Sequence, residues 1–236
     1  MAIKFINPSE AVQKQGLKML VYGPAGAGKT VLCATAKEPT LIISAEAGLL
    51  SIKDAPNTIQ IAEVKSRRDV EEVLNFLNTE GPPPWVCIDS LSEVAETVLA
   101  EELEINKKMQ MKAYGELNKV MTDLIKGFRD LPNANVLMTC KQARAKDDSA
   151  GQMLYEPGMP GQKLGAAIPH YFDLVCAMRI FKNNDGDLEH WLQCNRDEQY
   201  DAKDRSGRLN LFEQPSLASI KAKIDGKKTT PKTKAA

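Results

Sequence analysis

The chain has 236 residues, enough for one sizeable α/β domain with a buried core. Its 31 basic residues balance 31 acidic ones, but six of the basic residues and only one acid lie from Lys221 onward; the body is therefore net acidic, which excludes a global basic field for nucleic acid. No apolar run is long enough to span a bilayer, and Met1-Ala2-Ile3-Lys4 opens no signal peptide, so the expectation is a soluble protein of the cytoplasm with no membrane partner.

Residues 1–16 read as an N-terminal arm that either docks on a neighbour or packs on its own domain. Leu17 to Tyr22 is an apolar run with strand character. It leads into Gly23-Pro24-Ala25-Gly26-Ala27-Gly28-Lys29-Thr30, followed by Val31 and an apolar helical segment expected to run to about Lys37. This is G-x-x-x-x-G-K-T between a strand and a helix, the context of a phosphate-binding P-loop. Glycines let successive N–H groups turn inward around a phosphate, and the start of the helix adds partial positive charge. Gly23 to Val31 are thus the candidate nucleotide contacts. Lys29 would reach the β- and γ-phosphates, and the Thr30 hydroxyl would ligate Mg²⁺.

Thr40 to Ser44 is a continuous apolar run, as expected of a strand buried on both faces. Glu46 follows it at the sheet edge where α/β proteins bind ligands. It is either the group that polarises an attacking water or a solvent-facing loop acid. Ile59 to Val64 alternates as a short strand. Ser66 then caps a helix to about Asn78, with Asp69 three residues on. Trp85-Val86-Cys87-Ile88-Asp89 is an apolar strand ending in an acid, the Walker B pattern that holds Mg²⁺. Asp89 or Ser90 could also cap the next helix.

Ser92 to Ile105 reads as an amphipathic helix, and a second helix is expected from about Glu116 to Asp130. Between them Lys107, Lys108, Lys112 and Tyr114 form a basic–aromatic cluster, suited to backbone phosphate and base stacking, or simply a solvated helix face. Ala134 to Cys140 is another buried strand. Residues 143–163 then show no periodicity and carry Arg144, Lys146 and Lys163, so they read as a long functional or disordered loop. Phe172–Ile180 and Leu188–Cys194 read as strands joined by a hairpin turn at Asn183–Asp187. A charged loop, Asp201 to Gly207, precedes a short helix after Pro215 and a lysine-rich tail expected to be disordered. The five cysteines are single and sit in apolar segments, which reads as buried reduced thiols. The domain division is an arm at 1–16, a core at 17–214 and a tail at 215–236.

The P-loop, Glu46 after a strand, the Val86–Ser90 segment and Gln142 after a strand come in the order seen in RecA-type recombination ATPases. The chain resembles the short single-domain members of that group found in tailed bacteriophages, which are classed as single-strand annealing or recombination proteins. The resemblance covers roughly residues 15–212. It implies a P-loop NTPase fold with a RecA-like core: α/β, a mostly parallel central sheet flanked by helices, and a C-terminal antiparallel hairpin. It implies ATP and Mg²⁺ as cofactors, Glu46 as the water-activating acid and Gln142 as the γ-phosphate sensor. The interruption at 104–115 and the segment 143–163 match the loops that face DNA. Lys203 and Arg205 match a basic-x-basic pair that reaches the nucleotide of an adjacent subunit. Single-stranded DNA, further copies of the chain in a ring or filament, and a single-strand-binding protein are the implied partners, in the host cytoplasm if phage-encoded. One departure is that Lys141-Gln142 stands where the family carries an Asn-Gln pair. The alternative to a DNA-dependent ATPase is a nucleotide-gated assembly or loading factor with little turnover.

Overall fold

The computed structural model describes residues 7, 15–46, 48–147 and 152–226. The arm at 1–16, apart from three of its residues, and the tail beyond 226 lie outside them, as does the expectation of tail disorder.

One ten-stranded sheet organises the chain, in the order β10-β8-β7-β1-β5-β4-β2-β3. Strands β1 (Lys18–Gly23), β2 (Thr40–Ser44), β3 (Ile59–Glu63), β4 (Trp85–Asp89), β5 (Asn135–Asp147) and β7 (Leu174–Lys182) run parallel to their neighbours in the central part. Antiparallel pieces flank them: β6 (Gln152–Gly158) on β5, β8 (Leu188–Gln193) and β9 (Lys203–Asp204) on β7, and β10 (Phe212–Glu213) on β8. This is the α/β class with a C-terminal antiparallel hairpin.

The inner strands β1, β2, β4 and the first half of β5 are mostly apolar because both sheet faces are covered there. Leu20, Tyr22, Val86, Ile88, Val136 and Met138 point to one core. There they meet α2 (Arg67–Glu80), α3 (Leu91–Ile105) and α4 (Gln110–Arg129). Met19, Val21, Trp85, Cys87 and Leu137 point to the other core, closed by α1 (Lys29–Cys33) and α6 (Leu217–Ile224). The period-2 alternation of side chains sorts each strand between the two cores. Helices α2 and α4 approach so closely that a Cβ on Gly127 would lie 2.5 Å from Leu74 Cδ2. A larger residue there would require the Leu74 side chain to shift. All five cysteines are buried and reduced, as expected.

Local signals account for several boundaries. Ser66 caps α2 in a full capping box with Asp69, and Ser90 caps α3 by accepting from the Glu93 N–H. In the 183–187 turn the Asn183 side chain accepts from the N–H groups of Asp185 and Asp187, while Gly186 takes a positive φ.

Three expectations need correction. Helix α1 stops at Cys33, not Lys37. The Thr35 hydroxyl and carbonyl are engaged by the Leu217 and Ala218 N–H groups at the start of α6, so they are not available to prolong the helix. Helix α4 begins at Gln110, not Glu116, so the interruption is a short corner and Lys112 and Tyr114 are helical. Gly115 is tolerated within it on an open face. Finally, most of 143–163 is not a loop. Strand β5 continues past the sheet to Asp147 and pairs with β6, while a short helix, α5 (Gln162–Ala167), follows. Strand β6 gains its second neighbour from far along the chain: the Tyr155 N–H donates to Gln199 O at 2.6 Å, and the Asp201 N–H donates to Tyr155 O at 2.9 Å. Tertiary pairing overrides the weak local pattern.

Candidate nucleotide site

The site forms where the parallel strands end. A cleft of about 580 Å³ is lined by Gly23, Pro24, Ala25, Lys29, Ala45, Glu46, Glu93, Lys141 and Gln142. That size suits a small-molecule ligand.

The loop from Gly23 to Gly28 owes its path to its glycines. Gly26 and Gly28 have φ of 74° and 93°, a region side chains avoid, and a Cβ on Gly26 would meet nothing. Gly26 and Gly28 are therefore demanded by the backbone, whereas Gly23 is demanded by space, since a Cβ there would lie 2.9 Å from Met178 Cβ. Ala27 is buried beneath the loop. Lys29 curls over it, its ammonium donating to Gly23 O and Pro24 O at 3.0 Å each. These are weak, exchangeable anchors that an incoming phosphate can replace.

The second strand end pairs two hydroxyls with one carboxylate. The Thr30 hydroxyl donates to Asp89 Oδ2 at 2.6 Å, and the Thr139 hydroxyl donates to Asp89 Oδ1 at 2.5 Å. Asp89 is buried and oriented from both sides. A hydroxyl and a carboxylate so paired are the oxygen donors that Mg²⁺ prefers. The third strand end brings Glu46, whose Oε1 accepts the hydroxyl proton of Ser90. Ser90 thus caps α3 and also holds Glu46 at the cleft. Gln142 faces the same cleft, and its Oε1 is a buried acceptor with no hydrogen-bond partner among the described residues. A buried acceptor left open is costly unless a ligand or water completes it. The loop, the Thr30–Asp89 pair and the open Gln142 acceptor fit a nucleoside triphosphate with Mg²⁺.

The structure therefore brings Lys29, Glu46 and Gln142 together in one cleft, and the Thr30–Asp89 pair follows directly on Lys29. The exposed Val31 lies just past the loop, at the start of α1. Lys203 and Arg205 are elsewhere. Strand β9 pairs with the first residues of β7, at the sheet edge opposite the loop. The Lys203 ammonium donates to Pro169 O, and burial lowers its pKa. Arg205 donates to His170 O and lies 3.6 Å from Asp173. Neither lies near the loop of its own chain.

The other basic candidates are dispersed. Lys107 pairs with Glu104 at 2.5 Å, and Lys108 and Lys112 are exposed. Tyr114 adjoins the turn at Gly161, which leads to Lys163 on α5. Arg144 lies over the ring of Tyr155, which stacks on Tyr200 with Arg179 beyond it. Lys146 follows on β5. The corner and the hairpin carry separate groups, not one patch.

Sequence reasoning missed four participants. Thr139 and Ser90 could have been suspected from their places at strand ends. Ser92 accepts from the Lys141 N–H and donates to Gly158 O, clasping both strands of the β5–β6 hairpin to α3. His190 on β8 donates from Nδ1 to Ala27 O at 2.9 Å, bracing the loop from the C-terminal hairpin. No local signal announces that contact.

A parallel sheet with this loop, a Walker B acid and an Mg²⁺-type oxygen pair at its carboxyl edge defines a P-loop nucleoside-triphosphate-binding protein. The family model for the AAA domain matches residues 15–206, and the chain belongs to that family. The family is one of nucleotide-dependent ATPases. No curated protein matches the chain. Among the described residues no helix is long and apolar enough to cross a membrane.

Proposed function

We propose that the protein is an ATP- and Mg²⁺-dependent RecA-like ATPase that binds single-stranded DNA. It would promote annealing or strand exchange as an oligomer, in the manner of the short phage recombination proteins. Lys29 binds the β- and γ-phosphates, Thr30 and Asp89 hold Mg²⁺, Glu46 orients the attacking water and Gln142 senses the terminal phosphate. The preference for ATP rests on the family likeness.

The observation that supports the DNA role most is the continuity of β5. One strand carries Gln142 in the cleft and Arg144 two residues beyond it on the hairpin. A change at the phosphate thus has a rigid route to a cationic, aromatic-backed surface. The second reading is a nucleotide-gated assembly or loading factor. It is favoured by the home contacts of Lys203 and Arg205, which occupy the groups that a neighbour's nucleotide would need.

Steady-state ATP hydrolysis with and without single-stranded DNA, with Lys29→Ala as the blank, separates the two. Stimulation by single strands supports the first reading. Hydrolysis indifferent to DNA, or nucleotide binding without turnover, supports the second. Normal turnover in Lys29→Ala overturns the assignment of the site.

A further inference from the structure

The cleft contains a second lysine to which the reading above gives no role. Lys141 lines it together with Lys29, Glu46 and Gln142. Its ammonium lies 3.0 Å from Glu93 Oε2 and 2.7 and 2.8 Å from the two oxygens of Glu96. Both acids stand near the start of α3. All three side chains are more than a third exposed, so the pairing is weak and exchangeable.

We propose that Lys141 is a phosphate-binding residue whose ammonium leaves Glu93 and Glu96 for the terminal phosphate of a bound nucleoside triphosphate. This rests on the nucleotide reading of the cleft.

Position supports it first. Lys141 pairs in register with Gly23, the first residue of the loop, so its backbone stands beside the phosphate cradle. Its flexible four-carbon stem lets the ammonium move without moving the strand. Charge supports it second. A triphosphate carries more negative charge than Lys29 and one divalent cation neutralise. Lys141 is the other cation lining the cleft, and two carboxylates hold it there. When it leaves, both acids return to water, and Glu93 stays in the first turn of the helix, where negative charge is favoured. A diphosphate lacks the terminal group, so the lysine stays with its acids.

The backbone of Lys141 is anchored independently of its side chain. The Lys141 N–H donates to Ser92 Oγ at 2.9 Å, and the Ser92 hydroxyl donates to Gly158 O at 2.7 Å. Lys141 faces Gly158 across the hairpin. These contacts hold the backbone of Lys141 at the root of β5 and β6 while its ammonium changes partners.

The test is equilibrium binding of ADP and of a slowly hydrolysed ATP analogue to the full chain with Mg²⁺. Lys141→Met should lose about 10- to 100-fold in affinity for the analogue, the range of one charge-assisted hydrogen bond, while ADP affinity stays within about twofold. The double variant Glu93→Gln/Glu96→Gln tests the exchange from the other side and should bind the analogue several-fold more tightly, with ADP unchanged. Parallel changes for both ligands, or no change for either, would overturn the proposal. Lys29→Ala in the same assay separates the two levels. Wild-type binding that Lys29→Ala abolishes but Lys141→Met leaves intact overturns this inference alone. Failure of the wild type to bind either nucleotide overturns the reading of the site as well.

Discussion

Thr30 and Asp89 lie 59 residues apart in the chain and share a hydrogen bond of 2.6 Å. The contact joins the end of the phosphate loop to the end of β4, so residues from two motifs on different strands meet as one pair of oxygen donors. Thr139, on the strand between them, fixes the other carboxylate oxygen. Asp89→Asn keeps the shape but removes the charge. It should lower Mg²⁺-dependent hydrolysis by at least about 100-fold, in line with the loss of preorganised charge at a reacting phosphate. A magnesium titration of the hydrolysis rate checks this.

His190 donates to Ala27 O, so it braces the loop rather than touching the ligand. One neutral hydrogen bond contributes about 1 kcal/mol, or about fivefold in an equilibrium. His190→Ala should weaken ADP and ATP-analogue binding alike by about that factor, measured by titration calorimetry. A change of less than about 1.5-fold for both would remove the loop-bracing role.

Lys18 is buried at the start of β1, its ammonium donating to Ala134 O at 2.7 Å. Burial pushes its pKa down from 10.5 to about 8. The unfolded chain therefore binds the extra proton between about pH 8 and 10.5. The destabilisation is fully present below pH 8 and is relieved as pH rises through that window, by up to roughly 3 kcal/mol. Buried thiols act in the opposite direction above pH 9; Cys140, for example, is pushed up to about 12 by burial. The difference in unfolding free energy between wild type and Lys18→Met isolates the lysine. It should shift in favour of the wild type on going from pH 7.5 to 9.5 in denaturant melts.

Lys203 and Arg205 stand at the sheet edge opposite their own loop. A role at a nucleotide therefore requires a neighbour. Lys203→Ala/Arg205→Ala and Lys29→Ala should each be inactive alone. Mixed, they should regain part of the wild-type ATPase rate, because intact loops then meet intact cations. If the mixture stays as inactive as its parts, the trans role fails and the home contacts with Pro169, His170 and Asp173 are structural.

Much of this was legible in the residues. The loop reads as a phosphate site because glycines with positive φ and a following Lys-Thr have few other uses. The strands read clearly because burial on both faces leaves an unbroken apolar run. The hairpin at 142–158 was not legible. Beyond Cys140 strand β5 is mostly polar, and β6 sets Met153, Leu154 and Tyr155 side by side, so neither shows a period-2 pattern; β6 is completed by Gln199 and Asp201 from a distant segment. The early end of α1 was hidden for a similar reason, since α6 claims Thr35 from the far end of the core.

By itself, the sequence determined the makings of the site: a loop of phosphate-binding pattern, an acid at a strand end and an α/β core to present them. These follow from short-range constraints, namely backbone conformation, side-chain type and the alternation of apolar residues. The tertiary structure alone decided which side chains share the cleft. Thr139 on Asp89, Ser90 on Glu46, His190 on the loop and Lys141 between two helix acids are contacts between strand ends. Strand order and register create them, and no local pattern encodes either.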